Sequence, residues 1–183
     1  MSGIVESWFG ESFQKLDPLI QRLHQLDHTL KGSVQIEYSK GLSGRIGRSF
    51  AQKLGIPTNT GKIPLSVDIR HASDHFVWSR QFGGDGPVMT SKFYPVGAYP
   101  NGGWLESTGG VEITLGVEIK YGAWHWKQKS VRIHGIPAPD FTSPKVVAFK
   151  EVVDEKYNFY VEFLLPGLGR LFTYQGLLKA EEI

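Results

Sequence analysis

From Val111 to Tyr121, apolar side chains occupy every odd position (Val111, Ile113, Leu115, Val117, Ile119, Tyr121), with polar residues or glycine between them. Successive side chains of a strand point to opposite faces, so this segment is predicted to be one long strand with a dry face and a wet face. At about 3.3 Å per residue it would run roughly 36 Å, long enough that its sheet must bend or close. Alternation also marks Ser33 to Ser39, Leu65 to His71, His75 to Phe82, Val88 to Tyr94 and Trp104 to Thr108. It returns in Trp124 to Ile133, Val146 to Val153, Tyr157 to Leu165 and Leu171 to Leu178. Short turns such as Gly83 to Pro87 and Pro166 to Gly169 separate the runs, which is how antiparallel neighbours are joined. Near Lys129 and Ser130 the apolar phase slips, as a bulge would cause, leaving open which face of the Trp124 strand is buried.

Helical spacing is confined to the first third of the chain. The opening segment to Leu16 allows a turn or two around Ile4, Trp8 and Phe13. Asp17-Pro18 then reads as an N-cap followed by Pro at the first helical position. Leu19, Leu23, Leu26 and Leu30 extend that helix toward Gly32. Ile46, Phe50 and Leu54 mark a second, short helix stopped by Gly55 and Pro57. The predicted fold is mainly β (α+β) in a single domain, residues 1–183. It is a curved antiparallel sheet or closed barrel of about ten strands with two N-terminal helices, lipocalin-like or helix-grip-like.

Composition narrows the chemistry. The 183 residues carry a net charge of only +2 and no run of either sign, which argues against nucleic acid and anionic membranes as partners. No apolar run is long enough to span a membrane as a helix. Cysteine is absent, removing disulfides, thiolate catalysis and thiolate metal sites. With no secretory pattern in the opening residues, a cytoplasmic setting is expected. The 11 Phe, 7 Tyr and 5 Trp, beside 22 Gly, suit a β-barrel lined with rings.

Several short motifs occur in order: Leu23-His24, Gly41 with Gly44-Arg45, Leu54-Gly55-Ile56-Pro57, and Trp78-Ser79-Arg80 with Phe82. Leu105-Glu106 with Gly109-Gly110, Ile136-Pro137, Pro166 with Gly169, and Tyr174-Gln175-Gly176-Leu177 follow. In these the chain resembles, over nearly its whole length, the bacterial family called domain of unknown function 4166. That family occurs free-standing and as the tail of larger proteins, including some with a saccharopine-dehydrogenase-like domain. The resemblance implies no activity and no cofactor, and this chain carries no dehydrogenase domain from which one could transfer.

Arg80 is the leading candidate for function, sharing one strand face with Phe76, Trp78 and Phe82. A buried guanidinium needs a partner, either the carboxylate or phosphate of an apolar ligand, or Glu106 in an internal ion pair; otherwise it stacks on Trp78 and reaches water. Trp104 shares the face of Glu106, and Trp124 with Trp126 offers two more rings, to wall a pocket or to fill a core. His71 continues the inward face of Leu65, Val67 and Ile69, as a base, a ligand contact or a hydrogen-bonded core residue. His24 and His28 have a metal-compatible spacing, but no third ligand presents itself, and no metal is expected. Gly41, Gly44 and Gly47 lack the spacing of a phosphate loop, and tight turns needing positive φ are the default reading. Nothing resembles a nucleophile elbow or a serine triad.

The reading expected from these residues is a non-catalytic β-pocket. It would bind a largely apolar small molecule with an anionic group through Arg80, Trp78, Phe76, Phe82, Trp104, Glu106, Trp124, Trp126 and His71, without a cofactor. Two alternatives stay open: a structural or interaction domain with a filled interior, and a small hydrolase- or isomerase-type enzyme. Ligand identity and oligomeric state do not follow from the sequence.

Overall fold

The computed structural model describes residues 3–86, 88–139 and 141–181. Pro87, the end of the turn read at Gly83 to Pro87, lies outside the described residues. Ten antiparallel strands form a closed barrel: β1 (His28–Tyr38), β2 (Gly61–His71), β3 (Phe76–Phe82), β4 (Val88–Val96), β5 (Gly103–Thr108), β6 (Val111–Lys120), β7 (Ala123–Ile133), β9 (Lys145–Val153), β10 (Lys156–Leu165) and β11 (Gly169–Glu181). Each pairs with its neighbours in the chain, β7 skips to β9, and β1 against β11 closes the ring. The two-residue strand β8 (Ile136–Pro137) branches from β7. Full closure leaves the ten strands without a free edge and favours the lipocalin-like arrangement over the helix-grip one.

The long strand and its bulge appear where the alternation put them. On β6, Leu115 and Val117 are buried. Thr114 pairs with Ser130 but Leu115 pairs with Gln128, so Lys129 is the extra residue of a bulge. Tyr121 does not extend the buried row; it is fully exposed in the turn, at φ 51°. Trp124 points inward and is fully buried, while His125 faces outward and stacks on Phe149.

Two helical expectations need correction. The helix capped by Asp17, whose side chain accepts from the Leu19 amide at 2.8 Å, runs only from Pro18 to Leu23 as α2. Leu30 is buried from strand β1 and Leu26 is exposed. Leucines seven residues apart satisfied a helical template by coincidence, because the chain changes period between them. Conversely, the second helix is longer than expected, with α3 spanning Gly41–Lys53. Of its three glycines only Gly41 has positive φ. Gly47 is required by close approach instead, since a Cβ there would lie 2.8 Å from the Leu171 carbonyl oxygen.

The helices cover opposite ends of the barrel. At one end, α1 (Ile4–Phe9), the 3-10 helix Gly10–Lys15 and α2 form a plug, tied on by the Tyr99 amide donating to Trp8 O and the Asp17 amide to Gly122 O. At the other end lies α3, where Ser43 Oγ donates to Leu168 O.

Candidate functional site

Under the plug the interior is packed ring on ring. Trp8 meets Trp104 at 5.2 Å between centroids, and Phe9 meets Trp124 at 4.8 Å. Trp104 and Trp124 are fully buried. Further along the axis the packing loosens, and two cavities open with Arg80 in the wall of both.

Arg80 reaches the axis by the alternation of β3, half-buried between Trp78 and Phe82. Its Nη1 donates to Ser91 Oγ at 2.9 Å, and its guanidinium carbon lies 5.5 Å from the Trp78 ring centroid. Ser91 Oγ is 2.7 Å from Thr108 Oγ1, which is 3.4 Å from Glu106 Oε1. The internal Arg80–Glu106 ion pair weighed from the sequence is thus replaced by a relay through two hydroxyls. None of the ion pairs among the described residues includes either group.

Strand β9 brings a second cation into the same space. Val146, Ala148, Lys150 and Val152 share its inward phase, and Lys150 is only 2% exposed. Its cross-strand neighbours are Trp124 on β7 and Phe159 on β10. Lys150 Nζ lies 3.7 Å from the Trp124 ring centroid, 4.9 Å from that of Trp78 and 5.3 Å from that of Trp126. Its hydrogen-bond partner is His24 Nε2, at 2.5 Å. His24, 1% exposed, follows the last residue of α2 and stacks between Trp78 and Trp124. Burial, reinforced by the Arg80 charge, holds the Lys150 amine well below the usual lysine range. Burial, and then Lys150 and His71, do the same to His24. Cation–π attraction of roughly 2 kcal/mol per desolvated ring offsets part of an effective penalty of several kcal/mol for a buried ammonium.

The cavity beside Lys150 holds about 50 Å³ of space open to the centre of a water molecule, walled by Phe76, Trp78, Arg80, Tyr157 and Tyr174 among others. Burial raises the phenol pKa of both tyrosines, so both are neutral. The second cavity, about 80 Å³ by the same measure, is walled by Phe50 and Leu54 at the α3 end, with Glu106, Thr108 and Phe163. Trp126 and Phe93 border both. Phe82, Trp104 and Trp124 are buried but border neither cavity. His71 stands apart near the plug, its Nδ1 3.2 Å from Asp27 Oδ1, and burial lowers its pKa. Among the described residues no three His, Asp or Glu side chains are grouped to hold a metal, and no helix is long and apolar enough to cross a membrane.

With ten strands, a plug and this interior in view, the family comparison covers nearly the whole barrel: the pattern of the domain of unknown function 4166 (DUF4166) matches residues 16–178. The chain belongs to the DUF4166 family. Comparison with curated proteins found no match. The matched region includes Arg80, Glu106, Lys150 and His24, whereas Trp8 and Phe9 of the plug precede it.

Sequence reasoning missed Lys150 for a definable reason. On β9 the other phase, Val147, Phe149, Glu151 and Val153, is as apolar as the inward one and carries one charge too. Period-two patterning cannot choose between two such faces. His24 was weighed only as a metal ligand paired with His28 on one helix, which gave no sign of its contact with Lys150. Ser91 and Thr108 are small hydroxyls that no pattern singles out.

Proposed function

We propose that this barrel binds a small, largely apolar molecule carrying an anionic group, without catalysis in the binding step. The observation that carries the reading is the Arg80 guanidinium and the buried Lys150 amine in the wall of one cavity, with no carboxylate in ion-pair contact among the described residues. The Arg80 charge disfavours the protonated form of Lys150 beside it, and an anion entering the cavity would pair with Arg80 and favour that form again. Trp78 adds an indole N–H that is buried without an acceptor among the described residues, a donor for a ligand oxygen. Neither of the two cavities offers more than about 80 Å³ of space to the centre of a water molecule, room for a small ligand only. That size fits a short carboxylic acid and disfavours a long-chain lipid.

Native mass spectrometry of freshly purified protein tests the reading. A retained small acid, lost on Arg80→Met with the fold intact, supports it. A bare mass, with short carboxylates failing to bind or to raise Tm, defeats it. A second reading, an interaction domain with a filled interior, is favoured by the full burial of Trp104 and Trp124 beneath the plug. It predicts that bare mass.

A further inference from the structure

We infer that Lys150 is a covalent capture site: its amine forms an imine with the carbonyl of an oxo acid whose carboxylate rests on Arg80. The inference rests on the cavity reading above and deepens it by naming the ligand class.

Three features of the geometry point to this chemistry. First, Lys150 lines a cavity whose wall includes Trp78 and Trp126, the rings 4.9 and 5.3 Å from its Nζ, so a small molecule held there lies close to the amine. Second, among the described residues its polar partner is an imidazole nitrogen, His24 Nε2, and no carboxylate holds it as an ammonium ion. A lysine serving only as a structural cation is expected to have an acid beside it. Third, three tryptophan rings surround Nζ. They favour the positive charge of an iminium at that position while their bulk keeps water away. Desolvation and a neighbouring cation are the two means by which a lysine amine is made nucleophilic at neutral pH, and both act here, the cation being Arg80.

The step balances without any further reagent. The Nζ lone pair adds to the carbonyl carbon, forming a C–N bond as the C=O π bond opens onto oxygen. His24 Nε2 accepts the proton released by nitrogen and passes it to that oxygen. After a second protonation the oxygen leaves as water while nitrogen's remaining pair closes the C=N bond. One amine, one carbonyl compound and one solvent proton thus give one iminium and one water.

Reductive trapping on the full chain provides the test. The protein is incubated near pH 7 with pyruvate or 4-oxopentanoate and sodium cyanoborohydride, then mapped by peptide mass spectrometry. One adduct per chain, on Lys150 and ahead of exposed lysines such as Lys31 and Lys127, is the expected result. Lys150→Met removes it, and Arg80→Met raises the oxo acid concentration for half-maximal labelling at least about tenfold, the loss expected for a charge-assisted contact. Labelling by butanone, which lacks the carboxylate, should not respond to Arg80→Met. Adducts spread over exposed lysines with Lys150 unmodified in the wild-type protein overturn the inference. If native mass spectrometry still shows 4-oxopentanoate held without reductant, the imine fails while the binding reading stands; if no acid is held, both fall.

Discussion

Beneath the plug, Trp8, Phe9, Trp104 and Trp124 meet ring against ring; a layer further in, Arg80 and Lys150 stand in loosely filled space. The two regions share a barrel and a set of aromatic neighbours but face opposite energetic conditions. Rings that each remove 150–250 Å² from water contribute at most about 4–6 kcal/mol apiece by area. A cation among the same rings costs several kcal/mol in desolvation that cation–π contacts only partly offset. The plugged end is built for stability, whereas the middle holds charge at stability's expense. Such a conflict between local chemistry and folding is where function is sought.

The largest effect expected from this contrast is at the plugged end. Trp104→Ala removes a fully buried ring that touches Trp8 and Phe76, and should lower unfolding stability by about 3–5 kcal/mol in denaturant titration. A loss below 1 kcal/mol would mean the plug does not clamp the rings. Lys150→Met should act with the opposite sign. Replacing a buried amine lacking an acid partner with an apolar chain of similar length is expected to be neutral, or to stabilise by about 1–4 kcal/mol. A large loss would instead make Lys150 a structural element held by His24 and the tryptophans.

Acid should find the same fault line. Burial lowers the folded pKa of His24, so below the ordinary histidine value of about 6.5 the unfolded chain takes up a proton that the fold refuses. Stability is therefore lost as pH falls from 7 to 5, by up to about 1.4 kcal/mol per pH unit for one proton. His71, whose pKa burial also lowers, contributes in the same direction. The carboxylates with lowered pKa values, Asp27, Asp74 and Glu118, stay ionised in both states above pH 5 and add little there. Thermal melts of the wild type and His24→Gln between pH 5 and 7 check this, the variant giving the flatter profile.

Much of the barrel was legible because its signal is local. The alternation of β3 and β6 and the phase slip at Lys129 are properties of consecutive residues, and they survive any tertiary arrangement that keeps one face dry. Arg80 was visible for that reason, as a charge out of place on an apolar row. Lys150 was not, because both faces of β9 are apolar, one of them covering the outside of the barrel where Phe149 stacks on Tyr160. The capping position of His24 and the meeting of Ser91 with Thr108 depend on register between segments distant in sequence, which period-two reasoning does not reach.

The smallest effect is the one that best separates a ligand clamp from an internal ion pair. Glu106 reaches Arg80 only through Thr108 and Ser91, and its last link is 3.4 Å long. Glu106→Gln keeps the shape, still offers an acceptor to Thr108, and removes the charge. If Arg80 is free to receive an external anion, the change should cost less than about 1 kcal/mol, since a neutral acceptor replaces a weakly held one. A direct buried pair would lose about 3–5 kcal/mol when its acid is neutralised. Removing the competing negative charge should also tighten carboxylate binding, so isothermal titration with 4-oxopentanoate would show a lower Kd in the variant. A raised Kd together with a large stability loss would place Glu106, and not a ligand, as the counter-charge Arg80 was built to meet.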